Sequence, residues 1–409
     1  MVLISFYLKG GEINMKILIS SITAIAISSL AFASSSLEDT FSIYKNAKVS
    51  GQLRVGYINQ ESDDKSTQAN NMATGGHLKF ETGELSGISA GAAFYTTHRL
   101  AKNNAQDVAT NLFDQTSGDG FSILGEAYLK ASRNNTTFVA GRQQIDTPFA
   151  DSDDIRMIPN LFEAYVLTNT DLKETTLVVA HLKKWAGVDA PTQESFKDLV
   201  PNSDGTTMVA AVYEGIENSE ISAWYYNIDK LTRIFYLEGV TELALNDDFS
   251  LEVAAQYANF SEDGTTGVDG SVFGLSADLG IKSIGVNVVA AYNGASSDAG
   301  KSVVNGFGGG PYMTSMDEMT IDGLNDAKAY MVGISKEFDD FTLSYNYGNF
   351  QEDSSMAEVD ESNFVAEYAY NDKLNFVLMY TDYEAQNAVG IDDNAASFDR
   401  IQFYANYDF

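Results

Sequence analysis

The chain has 409 residues, a formal net charge of −32, no cysteine and five prolines, together with 22 tyrosines and 24 phenylalanines. The lack of cysteine excludes disulfide bonds and thiolate metal sites. The acidic excess argues against nucleic acid as a partner, because binding to phosphates requires clusters of lysine and arginine. It favours cations near the protein surface, although acidic loops that only keep the protein soluble would give the same net charge.

The N-terminal region has the pattern of a secretory signal peptide at residues 15–33. Lys16 supplies the positive start, an apolar stretch follows, and Ala31-Phe32-Ala33 matches a small-residue cleavage site. We interpret residues 1–14 as an extension upstream of the true start at Met15. Residues 34–47 are expected to form a periplasmic lead-in, with a short helix over 37–47 as one interpretation.

Alternating polar and apolar side chains fill residues 48–409 in segments of roughly ten residues. A period of two is typical of a β-strand with one apolar and one polar face. No apolar run after Leu30 is long enough to cross a bilayer as a helix. The predicted strands are Lys48–Gln60, Ala73–Gly83, Ile88–His98, Phe121–Arg133, Thr136–Ile145, Leu161–Asn169, Thr175–Trp185, Thr206–Glu214, Glu220–Ile228, Thr232–Leu245, Phe249–Phe260, Ser271–Leu279, Ile284–Tyr292, Lys328–Phe338, Phe341–Phe350, Ser362–Tyr370, Leu374–Tyr383 and Phe398–Phe409.

The links between these strands alternate in length. Links after even-numbered strands are short, such as 134–135 and 339–340, whereas links after odd-numbered strands are mostly long, such as 99–120 and 293–327. The link 229–231 is an exception, because it is short where a long loop is due. Short periplasmic turns that alternate with long external loops are typical of outer-membrane barrels. The sequence therefore predicts an all-β fold, a transmembrane antiparallel β-barrel of about 18 strands.

The alternation also predicts which side chains face lipid and which face the lumen. In the first strand, Leu53 should face lipid and Arg54 the lumen. In the fourth strand, Ile123 and Gly125 should face lipid, and Glu126 should face the lumen. The closing strand ends in Tyr407 and Phe409 on its apolar face, which we interpret as the signal that the barrel-assembly machinery recognises.

A barrel of this width leaves an aqueous channel unless a loop or domain fills it. The third long loop, 146–160, holds two of the five prolines, and proline lowers the entropy lost when a loop becomes ordered. We predict that this loop folds into the lumen and that its charged side chains line the constriction, where carboxylates favour cations. These side chains are Asp146, Asp151, Asp153, Asp154 and Arg156. The lumen wall is predicted to carry Arg54, Glu126, Lys130, Arg142, His181, Lys183 and Arg400. Pairing of these charges only with one another is the alternative interpretation.

Two regions of the chain, 50–57 and 141–163, contain stretches that resemble a known family. Ser50-Gly51-Gln52-Leu53-Arg54-Val55-Gly56-Tyr57 is similar to the opening strand of the OprD-type outer-membrane porins of Gram-negative bacteria. Gly141-Arg142-Gln143, Asp146-Thr147-Pro148 and the run from Arg156 to Glu163 are similar to the fifth strand, constriction loop and sixth strand of that family. The resemblance implies an 18-stranded porin for passive uptake of small polar or charged solutes. It also implies a ladder of basic residues along one wall, for which Arg54, Arg142 and Arg400 fit inward positions.

We therefore expect a porin in the Gram-negative outer membrane, a water-filled channel for small polar solutes and ions with a preference for cations. Contact with outer-membrane lipid and lipopolysaccharide, and assembly as a homotrimer, are further expectations. A channel selective for amino acids or small carboxylates is an alternative. An adhesin or structural barrel is an alternative from another class, since the long loops could bind partners.

We predict no enzyme activity and no cofactor. An outer-membrane hydrolase would need a serine and a histidine within hydrogen-bond reach, and the chain has three histidines, at positions 77, 98 and 181. A calcium ion at acidic loops such as Asp151-Ser152-Asp153-Asp154 is a remaining alternative, although the spacing differs from that of a calcium-binding loop.

Overall fold

The computed structural model describes residues 43–101, 110–114 and 116–409, and almost all of the secondary structure is β. The strands are β1 (Lys48–Ser62), β2 (Gln68–Glu81), β3 (Ile88–Ala101), β4 (Phe121–Arg133), β5 (Thr136–Gln143), β6 (Leu161–Asn169), β7 (Thr175–Ala186), β8 (Lys197–Asp198), β9 (Thr206–Ile216), β10 (Ser219–Ile228), β11 (Thr232–Ala244), β12 (Phe249–Glu262), β13 (Gly270–Ile281), β14 (Val286–Ser296), β15 (Ala327–Phe338), β16 (Phe341–Glu352), β17 (Glu358–Asn371), β18 (Leu374–Gln386) and β19 (Phe398–Asp408).

The strands form one closed antiparallel barrel. Each pairs with its neighbours in chain order, and β1 pairs with β19 to close the sheet, with Gln52 opposite Asp408. The two-residue β8 pairs only with β7, and β7 also pairs directly with β9. The barrel wall therefore has the 18 strands that the sequence predicts, and β8 is an added strand inside a loop.

Short helical segments are confined to connections. Lys282–Ile284 is a 3-10 turn, and Asp393–Ala396 is a single helical turn capped by the Asp392 side chain. Of the helix expected over 37–47, residues 43–45 are helical, and the part before residue 43 lies outside the described residues. Within the described ranges, no helix has the length and apolar character needed to cross a membrane.

Several strands extend further than predicted. The long links expected at 61–72 and 351–361 shrink to residues 63–67 and 353–357, because antiparallel pairing continues beyond the apolar part of each strand. Polar cross-strand contacts support this extension, as in the 3.1 Å hydrogen bond from Asn70 to Asn59. Three connections matter below: L3 (residues 144–160), L4 (187–205) and L7 (297–326), all at the same end of the barrel.

The outer face of the barrel is apolar. Leu53 is 61% exposed, Leu275 55% and Phe273 49%, and similar side chains alternate with buried ones on almost every strand. A water-soluble protein rarely exposes an apolar surface of this extent, whereas a lipid-facing barrel requires it. On β1, Leu53 faces outward and Arg54 inward, as predicted.

A β-bulge changes the alternation in β4. Ala93 pairs with Glu126 and Phe94 pairs with Leu124, so Gly125 is the extra residue. A bulge shifts the period by one residue. Leu124 is therefore exposed and Ile123 buried, and the predicted outward position of Ile123 and Gly125 is wrong.

The interior of the barrel has an apolar side and a polar side. Inward residues of β6 to β14 form a continuous apolar cluster with side chains from L3 and L7, including Phe149, Phe307 and Tyr312. Inward residues of β16 to β19 are largely polar, among them Asn363, Thr381 and Gln402. Those of β1 to β4 combine polar groups such as Glu126 with a second apolar cluster that includes Ile58, Tyr95 and Ile123. Two loops thus cross the lumen and contact the first apolar cluster, and Met157 and Ile158 of L3 also belong to the second.

Candidate functional site

L3 is anchored inside the barrel by one aromatic side chain. Phe149 is fully buried, and its ring makes edge-to-face contacts with Tyr226, Tyr236 and Phe260 on the wall, at centroid distances of 5.5, 5.6 and 5.5 Å. It also contacts Tyr312 of L7 at 6.4 Å. Edge-to-face packing is the favoured arrangement of aromatic pairs. The prediction that the third loop folds into the lumen is therefore confirmed.

L3 and L7 are joined to each other. Ala150 forms a parallel β-bridge with Phe307, and the Asp151 N–H donates to the Phe307 carbonyl at 3.1 Å. The Asp151 carboxylate accepts from the backbone N–H groups of Gly309 and Gly310 at 3.3 and 3.4 Å. The two loops thus form a single layer across the lumen.

Arg54 ties L3 to the polar wall. Its guanidinium donates to both oxygens of Asp154, at 2.7 and 2.9 Å, and also to the backbone carbonyl of Arg156. The Arg54 Nε donates to Asn406 at 2.8 Å. Bidentate pairing of this kind fixes orientation as well as charge. The structure therefore brings together Arg54 and Asp154, two of the predicted site residues.

Two further arginines meet the tip of L7. Arg156 of L3 donates to Glu318 at 2.8 Å, and Arg400 of β19 donates to the same carboxylate oxygen. Asp317 lies 3.8 Å from Arg156 and 3.7 Å from Arg400. Both arginines are 5% exposed. Each guanidinium in the layer formed by L3 and L7 is therefore matched by a carboxylate.

Asp146 of L3 and Asp189 of L4 also hold the loop in place. Asp146 accepts from the N–H and the hydroxyl of Ser152, at 2.9 and 2.5 Å. Asp189 of L4 accepts from Asn160 at 2.7 Å. Burial and the neighbouring charge of Asp153 raise the pKa of Asp151 and the pKa of Asp189 to about 7. These contacts explain why L3 needs its carboxylates, and a role for them in ion selection stays a prediction.

The wall residues divide into inward and outward sets. Glu126 is 2% exposed and faces the lumen, where it accepts from Lys79 and Tyr95 at 2.8 and 2.7 Å. Lys130 shares its face and pairs with the buried Val139 towards the short-turn end. Both inward positions agree with the sequence prediction.

Arg142 and His181 face outward, and their predicted lumen positions are wrong. The register places Arg142 opposite Glu163, and His181 opposite the exposed Tyr165. The Arg142 guanidinium lies 4.3 Å from the ring centre of Phe196 in L4. Lys183 is the extra residue of a bulge in β7, so alternation does not decide its face. Its place in the lumen wall stays a prediction.

A row of carboxylates lines the wall between the L3–L7 layer and the short-turn end. Glu242 pairs with Glu252, and Glu252 pairs with Asp278, so three like charges lie side by side on β11 to β13. Glu220 and Glu238 share this inward face, since the alternate residues Ile221 and Leu237 are exposed outward. Among residues 43–101, 110–114 and 116–409, no lysine or arginine forms an ion pair with these five carboxylates.

Sequence reasoning missed this row and the inward fold of L7. The row was detectable, because its carboxylates fall on the polar face of segments already identified as strands. L7 was interpreted as an external loop. Its apolar side chains Val303, Phe307, Tyr312 and Ile321 are all buried, and a solvated loop has no need of them.

No metal centre is evident in the described part of the chain, which lacks any group of three or more carboxylate or imidazole side chains placed to hold an ion. The C-terminal Phe409 exchanges two backbone hydrogen bonds with Gly51, at 3.0 and 3.1 Å. Tyr407 and Phe409 are 41% and 44% exposed on the outer face. That position is open to a partner, and their role in assembly stays a prediction.

Comparison with known proteins agrees with this architecture. A family model described as "outer membrane porin, OprD family" matches residues 43–375. A crystal structure of Pseudomonas aeruginosa OpdK with vanillate has 16% identity and a TM-score of 0.73, with 89% of this chain and 99% of that chain covered. Pseudomonas aeruginosa OccK9 has 15% identity and a TM-score of 0.76, with coverage of 90% and 99%. Acinetobacter baumannii OccAB4 has 17% identity and a TM-score of 0.76, with coverage of 89% and 98%.

A search of curated proteins gave no significant match. The solved structures are too distant in sequence to transfer more than the fold, whereas the family model spans most of the chain. Channels of this family are not enzymes, and their barrels lie in the outer membrane of Gram-negative bacteria. The chain belongs to the OprD family of outer-membrane porins.

Proposed function

We propose that this porin is a passive diffusion channel that prefers cations over anions of the same size. The observation that carries the proposal is the row formed by Glu220, Glu238, Glu242, Glu252 and Asp278 on the lumen wall. These groups lack a basic partner in the described residues, so their field acts on mobile ions. The constriction contributes little net charge, since its arginines are paired.

This proposal changes the origin of the selectivity expected from the sequence. The L3 carboxylates were expected to select cations directly. Instead, Asp154 pairs with Arg54 and Asp151 binds backbone N–H groups of L7, so both are largely committed to holding the loop. The wall carboxylates are the better candidates, because no lysine or arginine in the described structure forms an ion pair with them.

A channel selective for small carboxylates or amino acids is the second candidate. Arg54, Arg156 and Arg400 favour it, since three buried guanidinium groups gather at the constriction. A neighbouring structure, OpdK, was crystallised with vanillate. Such selectivity would need guanidinium groups free to bind solute. Every one of these three already has a carboxylate partner in the same loops.

Reversal potentials across a planar bilayer test the proposal. With a gradient of KCl at low ionic strength, the wild-type channel should be more permeable to K⁺ than to Cl⁻. The triple variant Glu242→Gln, Glu252→Gln, Asp278→Asn should lose much of that preference. A unit negative charge about 8 Å from an ion in water attracts K⁺ by about 0.5 kcal/mol and repels Cl⁻ by the same amount. The two ions therefore differ by about 1 kcal/mol, so each neutralised carboxylate should lower the permeability ratio by up to about five-fold.

The matched control is Glu194→Gln, which removes one charge from an exposed position in L4. In a KCl gradient at about 0.1 M it should leave the permeability ratio unchanged, because salt at about that concentration screens exposed charges beyond about 10 Å. A wild-type channel that prefers Cl⁻, or a triple variant as cation-preferring as the wild type, would refute the proposal. Contacts with lipopolysaccharide, recognition of Phe409 during assembly, cleavage of the signal peptide and trimer formation are further parts of the proposed biology and need separate tests.

A further inference from the structure

One fully buried carboxylate on the polar wall holds the tip of L7. Glu361 of β17 is 0% exposed. It accepts the backbone N–H of Glu318 at 3.1 Å and that of Met319 at 2.8 Å, and Asn363 donates to it at 2.9 Å. A buried carboxylate is stable only where donors surround it. Two of these three donors belong to the tip, so the tip and Glu361 depend on each other.

The tip carries the counter-charge of the constriction. One oxygen of Glu318 contacts both Arg156 and Arg400, which otherwise lie far apart in the chain. The Glu318 side chain is 24% exposed, whereas those of the two arginines are 6% and 5% exposed. Glu318 is therefore the member of this group that is most open to the lumen.

Neighbouring contacts keep the tip oriented. Asp317 accepts from Gln402 at 2.6 Å and from Thr381 at 3.3 Å. The Asp317 N–H donates to Asn363 at 3.3 Å. All of these partners are wall residues on β17 to β19. The tip thus rests on a polar patch of the barrel, whereas the rest of L7 docks on the apolar side.

We propose that Glu318 is a tethered counter-ion for Arg156 and Arg400, and that Glu361 is the positioning residue that holds it there. While the tip is docked, Glu318 neutralises the two guanidinium groups. They then neither repel K⁺ nor attract Cl⁻. When the tip is displaced, both guanidinium groups face the lumen and the constriction accepts anions. L7 therefore sets the ion selectivity of the constriction. This inference rests on the proposed channel function.

The test uses Glu318→Gln, Glu361→Gln and the double variant in the full-length protein in planar bilayers, with KCl as the probe. Removal of one carboxylate beside the permeation path should lower the K⁺/Cl⁻ permeability ratio of Glu318→Gln by about five-fold at low salt. Glu361→Gln should lower it in the same direction. Because Glu361 acts through the tip, the double variant should fall no further than Glu318→Gln alone.

The outcomes separate the possibilities. If the two charges act independently, the effects of Glu318→Gln and Glu361→Gln on the logarithm of the permeability ratio add in the double variant. Such additivity would overturn the positioning role of Glu361. If Glu318→Gln has the same K⁺/Cl⁻ permeability ratio as the wild type and the Glu194→Gln control, the role of Glu318 as a counter-ion is overturned. Failure of the wild-type protein to form conducting channels would instead refute the proposed function. Circular dichroism and heat-modified gel mobility establish that each variant is folded, and the partly exposed Glu318 is the safer substitution.

Discussion

Phe149 should control whether L3 stays docked in the lumen. The Phe149→Ala variant removes a fully buried ring that contacts three wall aromatics and one ring of L7. Undocking exposes this ring to water in the lumen, so the usual cost of a large-to-small substitution in a core applies. That cost is about 3–5 kcal/mol for phenylalanine to alanine, and loss of the edge-to-face contacts is included in it.

This cost shifts the equilibrium between docked and undocked L3. Each 1.4 kcal/mol changes an equilibrium constant by a factor of about ten. The ratio of docked to undocked L3 should therefore fall by at least about 100-fold. Other anchors remain, among them the Arg54–Asp154 pair, the Asp151 contacts with L7 and the Ala150–Phe307 bridge. We therefore expect L3 to fluctuate between positions and the barrel to stay intact.

Single-channel recording at high KCl concentration measures this effect. The wild type should show one steady current level, and Phe149→Ala should show fluctuations between that level and a larger one. Phe235→Ala is the control, since Phe235 is 45% exposed on the outer face and contacts lipid instead of L3. A Phe149→Ala channel as quiet as the wild type, with the same conductance, would refute the role of this ring as the anchor.

Three further predictions concern charge. Asp154→Asn should leave the buried Arg54 without its carboxylate, so we expect a lower cation preference and a lower unfolding temperature. Arg54→Gln should instead raise the cation preference. Shifts of the K⁺/Cl⁻ permeability ratio that are equal in both variants would contradict the pairing. Asp151 and Asp189 have pKa values raised to about 7, so their folded forms bind protons more tightly than the unfolded chain. Stability should therefore fall as pH rises from about 4 to about 7 and stay low above it, which thermal unfolding at several pH values measures. The Asp151→Asn, Asp189→Asn double variant should flatten that dependence, and an unchanged pH profile would show that the pair does not cause it.

Much of the fold could be predicted from the sequence, because the strands of a membrane barrel follow a pattern that is visible within each strand. Lipid on one side and water on the other require a period of two, and each strand shows that period in its own residues. Leu53 and Arg54 could be assigned to opposite faces without knowledge of any other strand. The alternation of loop lengths similarly predicts antiparallel neighbours, since short turns leave no other pairing.

The tertiary structure decided features that the alternation of polar and apolar residues does not predict. A one-residue bulge at Gly125 turned Ile123 inward, and the cross-strand register turned Arg142 and His181 outward. Arg400 and Glu318 are distant in the chain, and their contact depends on a loop that crosses the lumen. The sequence by itself determined a porin-like barrel with its third long loop folded into the lumen. Which charges are neutralised and which remain free depends on the folded positions of L3 and L7, since electrostatic interaction depends on distance in space and not on position in the chain.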